Sequence, residues 1–270
     1  MPALTRFDRD TALAPAGAGA FEASIDPGWW VVGGPNGGYL AAILLRALAL
    51  AVDDPGRAPR SLTVHYTAPP EAGPARVETR IERTGRSLTS ASCRMLQGER
   101  LLARAMGAFS RSHDSTSFQE IAMPEVAPPE ACPARERPPE SVRIADRYET
   151  RWALGSPPFS GGERALCGGW IRFEEPRVVD ALAVAAYSDA FPPALFSRLS
   201  DPAIGRGLPT VDLTLHFRSE LPLPGSRPDG FTFCVFRSRL ARGGFVEEDG
   251  EIFSRDGELL AQSRQLALIR

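Results

Sequence analysis

Leu62-Thr63-Val64-His65-Tyr66 returns later in the chain as Leu213-Thr214-Leu215-His216-Phe217, an offset of 151 residues. A second pair of stretches follows in the same order. Gly98-Glu99-Arg100-Leu101-Leu102-Ala103 is matched by Gly257-Glu258-Leu259-Leu260-Ala261, with Leu101 and Leu259 now 158 apart. A drift of seven residues between the two matches (151 to 158) is one longer hairpin. Each first match follows a helical pattern, so the expectation is a duplicated unit.

Working outward, each unit reads as one helix followed by strands. In the first, Asn36 stands before Gly37-Gly38 and an apolar run to Val52. Asn is a favoured N-cap, and Asp53-Asp54-Pro55-Gly56 ends the run. Strands are expected near 61–67, 74–84, 87–97 and 100–110. In the second, Glu175-Pro176 is expected to open a helix reaching about Ala190, with Pro at a helix start. Strands then follow near 210–218, 230–238, 242–254 and 258–269. One apolar helix and a long antiparallel meander, twice over, predict an α+β fold in which each sheet curves around a helix. Between the units runs a Pro-rich stretch from about His113 to Glu140, expected to drape over a surface because Pro removes donors and fixes φ. The expected organisation is 1–112, a linker at 113–145, and 146–270.

Composition removes several function classes. The 270 residues carry 31 Lys+Arg and 33 Asp+Glu, for a net charge of -2, which leaves no footprint for nucleic acid. All 31 basic residues are Arg. Without lysine there is no Schiff-base chemistry and no P-loop lysine. Cys93, Cys132, Cys167 and Cys234 have no CxxC spacing and read as reduced thiols of a cytoplasmic protein. The N-terminus opens no apolar signal region, and the most apolar stretch, 37–52, is too short to span a membrane. No clustered His/Cys pattern suggests a metal, and neither GxGxxG nor GxSxG occurs, so no cofactor and no serine nucleophile are expected.

Trp29-Trp30, followed by Gly33-Gly34-Pro35-Asn36-Gly37-Gly38-Tyr39-Leu40-Ala41-Ala42, resembles the start of the central helix of hotdog-fold thioesterases. The tail from Gly243-Gly244-Phe245 through Asp256-Gly257-Glu258 to Gln265 and Arg270 looks like the C-terminal half of acyl-CoA thioesterase II. The resemblance implies a double hotdog, two halves fused so that one chain mimics a dimer. It also implies hydrolysis of acyl-CoA thioesters by a water held by one carboxylate, one threonine hydroxyl and one glutamine of the second half. Carried onto this chain, the carboxylate falls on Asp212 and the glutamine on Gln265. Counted back from Gly244-Phe245-Val246, the hydroxyl position falls on Arg237, with Ser238 beside it, so the threonine is either replaced by a catalytic Ser238 or missing. In that register Arg237 points into the site and Ser238 away from it, unless a bulge near Gly243-Gly244 reverses them.

The chemistry needs donors where an oxyanion develops. A helix N-terminus offers free N–H groups and partial positive charge, so Asn36, Gly37, Gly38 and Tyr39 are expected to polarise the thioester carbonyl. Arg83 and Arg86 in the first half and Arg237, Arg239 and Arg242 in the second are the turn-proximal cations expected to meet coenzyme A phosphates, Arg86 and Arg237 foremost. Plain readings stand beside each of these. Asp212 alternates with Leu213, Leu215 and Phe217 and also fits a solvated strand face, and Gln265 fits an ordinary strand position. His65 and His216 occupy matching places in the repeat, which favours a structural role. The leading expectation is a thioester hydrolase acting in lipid metabolism, with a homo-oligomer compatible. The competing readings are a non-catalytic acyl-binding module and, further back, a hotdog hydratase or dehydratase.

Overall fold

The computed structural model describes residues 4–134, 142–205 and 207–269. Residues 135–141 of the expected linker, with Pro138-Pro139, lie outside the described residues.

Helix α1 spans Gly37–Val52, with Asn36 as its N-cap and Asp53 closing it at φ 47°. Tyr39 through Leu45, with Ala47 and Leu48, are buried, so the helix is enclosed almost all round. The first half contributes β1 (Ala20–Ile25), β2 (Ala58–Tyr66), β3 (Gly73–Thr84), β4 (Leu88–Gln97) and β5 (Arg100–Ser110). The second contributes β6 (Tyr148–Gly155), β7 (Ala165–Phe173), helix α2 (Ala181–Tyr187), β8 (Thr210–Phe217), β9 (Thr232–Ser238), β10 (Phe245–Phe253) and β11 (Leu259–Leu268).

These strands form one antiparallel sheet in the order β1-β3-β4-β5-β2-β8-β11-β10-β9-β7-β6. The order is the same read outward from its centre in either direction: β2-β5-β4-β3-β1 on one side and β8-β11-β10-β9-β7 on the other. At the centre the two copies of the repeated pentapeptide pair with each other. Thr63 lies opposite Thr214, 151 residues away, and their hydroxyls are 3.1 Å apart. The duplication is therefore also the join, and it removes two edges that would otherwise stay unpaired. The double-hotdog expectation holds.

Among the longer strands, β1, β6 and β7 were not anticipated. In β7 the Gly168-Gly169 pair hides the alternation, and the register shifts there. The second helix is also shorter than expected, seven residues rather than a run from Glu175. Asp180 is its N-cap, accepting from the Ala183 N–H at 2.9 Å. Arg177 is tied to Asp180 and Asp8, and its N–H donates to the Pro228 carbonyl, so the chain after Pro176 stays out of the helix.

The helices meet closely. A Cβ added at Gly38 would lie 2.5 Å from the Ala186 carbonyl oxygen, so only glycine lets α1 begin against the end of α2. On the far side of the second-half sheet, Ile121, Met123 and Val126 of the Pro-rich stretch cover Trp170, Phe233, Val235 and Phe253. The Trp170 indole N–H donates to the Ala127 carbonyl at 2.9 Å.

Candidate active site

The beginning of α1 meets a carboxylate from the other half. Asp189 follows the last turn of α2, just ahead of Phe191-Pro192-Pro193. Its Oδ2 accepts from the Gly37 N–H at 2.9 Å, the Gly38 N–H at 3.3 Å and Asn36 Nδ2 at 2.9 Å. Asn36 serves both halves: its Oδ1 accepts from the Tyr39 N–H at 3.0 Å, and Nδ2 also reaches the Asp189 carbonyl at 2.6 Å. Tyr66 closes the other side by donating to the Gly37 carbonyl at 2.7 Å.

Asp189 Oδ1 has one long contact, 3.4 Å to Gln265 Nε2. The Gln265 Nε2 also donates to Glu248 Oε1 at 2.8 Å, while its Oε1 accepts from the Thr210 hydroxyl at 2.9 Å. Glu248 Oε2 accepts from the Ala194 N–H at 2.5 Å. One carboxylate, one threonine hydroxyl and one glutamine of the second half are thus joined, with a second carboxylate behind the glutamine. Burial pushes Asp189 up to about 6, against the pull of the helix N–H groups and the Gln265 amide. Burial also raises Glu248 to about 7, with the charges of Asp189 and Glu247 adding to it.

Local geometry explains why Thr210 and Gln265 meet. Gln265 pairs with Leu213 and shares its inward face. The ladder between β8 and β11 is shifted between Thr210 and Asp212: Thr210 pairs with Ala267, whereas Asp212 pairs with Leu266. The extra residue, Val211, is a bulge. It turns Thr210 onto the Gln265 face and leaves Asp212 on the opposite one.

The structure places several of the expected site residues apart from this cluster. Asp212 sits beside His65 on the outer face, separated from Gln265 by the sheet itself. The Arg237/Ser238 register is the reverse of the one counted. Cys234 and Phe236 belong to the inner core and Phe233 and Val235 to the outer one, so alternation sends Ser238 inward and Arg237 outward. Arg237 pairs with Glu251 at 3.0 Å. The Ser238 hydroxyl is buried without a hydrogen-bond partner. Tyr39 is a core strut: its ring stacks on Trp29 at 4.9 Å and its hydroxyl donates to the Asp10 carbonyl at 2.7 Å. Arg86 is exposed in the β3–β4 turn, where its carbonyl accepts from Arg57, a residue beyond the C-terminal end of α1. At 1.5 Å per residue the 16-residue helix puts about 24 Å between that end and Gly37. Gly37 and Gly38 do stand at a helix N-terminus against the second half, but their N–H groups hold Asp189. The next two are taken by Asn36, so the first turn has no free donor.

Asp189, Thr210 and Glu248 escaped the sequence reading. Two carried a signal. An aspartate just past the last turn of an apolar helix opposes the helix dipole, which favours a cation there. Glu248 interrupts an inward row of Val246, Gly250 and Ile252 with a charge.

Comparison with known proteins finds one family model in each half of the chain. Residues 26–110 match the family model of the acyl-CoA thioesterase N-terminal domain, and residues 129–269 match that of its C-terminal domain. No curated protein matches. Among solved structures, a conserved protein with a hot dog fold from Alicyclobacillus acidocaldarius is 28% identical, with a TM-score of 0.89 over 99% of both chains. A candidate thioesterase II from Thermobifida fusca is 25% identical, with a TM-score of 0.81 over 100% of this chain and 99% of its own. An acyl-CoA thioesterase II from Mycobacterium marinum, 21% identical over 98% of both chains, shares the fold at a TM-score of 0.78.

Proposed function

Since this chain belongs to the acyl-CoA thioesterase family, with both family domains matched in order, we propose that it hydrolyses acyl-CoA thioesters with a water held by Asp189, Thr210 and Gln265. The supporting observation is the unequal use of the Asp189 carboxylate. Oδ2 is saturated by three donors, whereas Oδ1 has only the 3.4 Å contact to Gln265. The under-used oxygen is the one free to take a proton.

A water on Oδ1, within reach of the Thr210 hydroxyl and the Gln265 amide, attacks the thioester carbonyl carbon as Asp189 accepts its proton. The tetrahedral oxyanion develops in the positive field of the α1 N-terminus. Collapse breaks the carbon–sulfur bond, and the proton on Asp189 passes to the departing thiolate. The products are the free acid and coenzyme A.

The non-catalytic acyl-binding reading drew on a missing threonine, and the Thr210 hydroxyl on Gln265 speaks for hydrolysis instead. A hydratase wants an imidazole beside the acid, but His65 and His216 are exposed on the outer face. The four cysteines are free, which fits a reducing compartment such as the cytoplasm. Among the described residues no helix is long and apolar enough to cross a membrane.

The test is release of coenzyme A from a panel of acyl-CoAs of increasing chain length, followed with a thiol-reactive chromogen. All four cysteines are buried, so the protein contributes little background. Release with at least one chain length is the expected result. Tight binding of acyl-CoA without release at any length would return the chain to the acyl-binding reading.

A further inference from the structure

Glu248 has no part in holding the water, yet it is a buried carboxylate, 7% exposed, directly behind the glutamine. Burying a carboxylate is costly unless its partners compensate, and here the partners are two, the Ala194 N–H and the Gln265 amide. Resting on the hydrolytic reading above, we propose that Glu248 is a positioning residue for hydrolysis: its carboxylate locks the Gln265 amide in the one orientation that points an N–H at Asp189.

The argument turns on what an amide does at each stage of the cycle. Thr210 cannot fix the orientation, because a hydroxyl donates to an amide oxygen or accepts from an amide nitrogen equally well. While Asp189 is ionised it repels a flipped Gln265 oxygen and holds Nε2 toward itself. Once Asp189 has taken the proton from water it becomes a donor and favours the flipped amide. While it is ionised, Glu248 opposes that flip, because Gln265 Oε1 in place of Nε2 would stand 2.8 Å from a carboxylate oxygen. The glutamine then remains in place while the proton is on Asp189 and ready for the thiolate.

The charges that act most strongly on Glu248 are those of Asp189 and Glu247. Asp189 lies across the shared amide from the end of α2, and Glu247 is its neighbour on β10. The segment before residue 195 supplies the Ala194 N–H, and β11 supplies the Gln265 amide. Both neighbouring charges are negative, so neutralising Glu248 makes Asp189 more acidic.

Glu248→Gln keeps the volume and removes the charge. The expected result is a fall in kcat of about tenfold, the size of one lost hydrogen bond to a charged group, with KM little changed. The acid limb of the pH–rate profile moves to lower pH. In a Gln265→Ala background the same substitution costs nothing further, because its effect travels through that amide. Glu248→Asp keeps the charge but is too short to span Ala194 and Gln265. It lowers kcat while leaving the acid limb in place, and it serves if the Gln variant does not fold. Wild-type kcat in either folded variant, an unmoved acid limb in Glu248→Gln, or full additivity with Gln265→Ala overturns the proposal. An inactive wild type on the whole acyl-CoA panel would instead sink the hydrolytic reading from which it starts.

Discussion

Replacing Asp189 by Asn should cost activity and add stability. The side-chain oxygen of Asn can still accept from Gly37, Gly38 and Asn36 on the Oδ2 side. What disappears is Oδ1, the basic atom. Loss of a general base lowers kcat by a factor on the order of a hundred to ten thousand. The stability effect follows from the raised folded-state pKa, about 6 against a reference of 3.8. The folded protein holds this proton more tightly than the unfolded chain does. Its stabilising effect is therefore complete below about pH 4, and is lost as pH rises through about 6. At neutral pH the ionised carboxylate is a penalty of at most ~3 kcal/mol, at 1.36 kcal/mol per pKa unit. Asn removes that penalty but makes weaker hydrogen bonds than a carboxylate, so the net gain is smaller, a rise in Tm of a few degrees near pH 7.5. The gap should close as pH falls toward 4. The assays are coenzyme A release and thermal unfolding, each across pH 4 to 8. Wild-type activity should climb through about pH 6 and level off above it. An Asn variant within about threefold of wild type, or a wild-type rate flat from pH 5 to 8, would refute the assignment of Asp189 as the base.

Two further substitutions test the geometry. Asp212→Asn should leave kcat and KM at wild-type values, because Asp212 lies across the sheet from Gln265; a loss of about a hundredfold would restore it as the base. Gly38→Ala should destabilise the fold by roughly 1–3 kcal/mol, the range for overpacking, and lower activity with it. Its Cβ would lie 2.5 Å from the Ala186 carbonyl, three residues before Asp189. Unchanged melting and turnover in that variant would mean that α1 and α2 can separate without disturbing the site.

The sequence by itself was enough for the duplicated architecture. The pentapeptide repeat, the Asn36 cap and the period of the strands are local, and each reports the backbone it sits in. Even the central join was implicit, since Thr63 and Thr214 hold equivalent places in the two copies. Gln265 was reached through the family resemblance, and its inward, buried position is seen only in the paired strands. The rest of the site was not legible in the sequence, because each part depended on something outside its own segment. Asp189 gains its proposed role from the N–H groups of a helix more than 150 positions earlier in the chain. Gly38 reads as room for a substrate until Ala186 is found in that space. Strict alternation puts Thr210 and Asp212 on the same face, and no residue type in Thr210-Val211-Asp212 announces a bulge. A bulge is created by the partner strand, through a register that has to satisfy both the buried leucines of β8 and the end of β11. One inserted residue exchanges which side chain faces inward, and that exchange, made only when the two strands pair, puts Thr210 at the site and Asp212 behind the sheet.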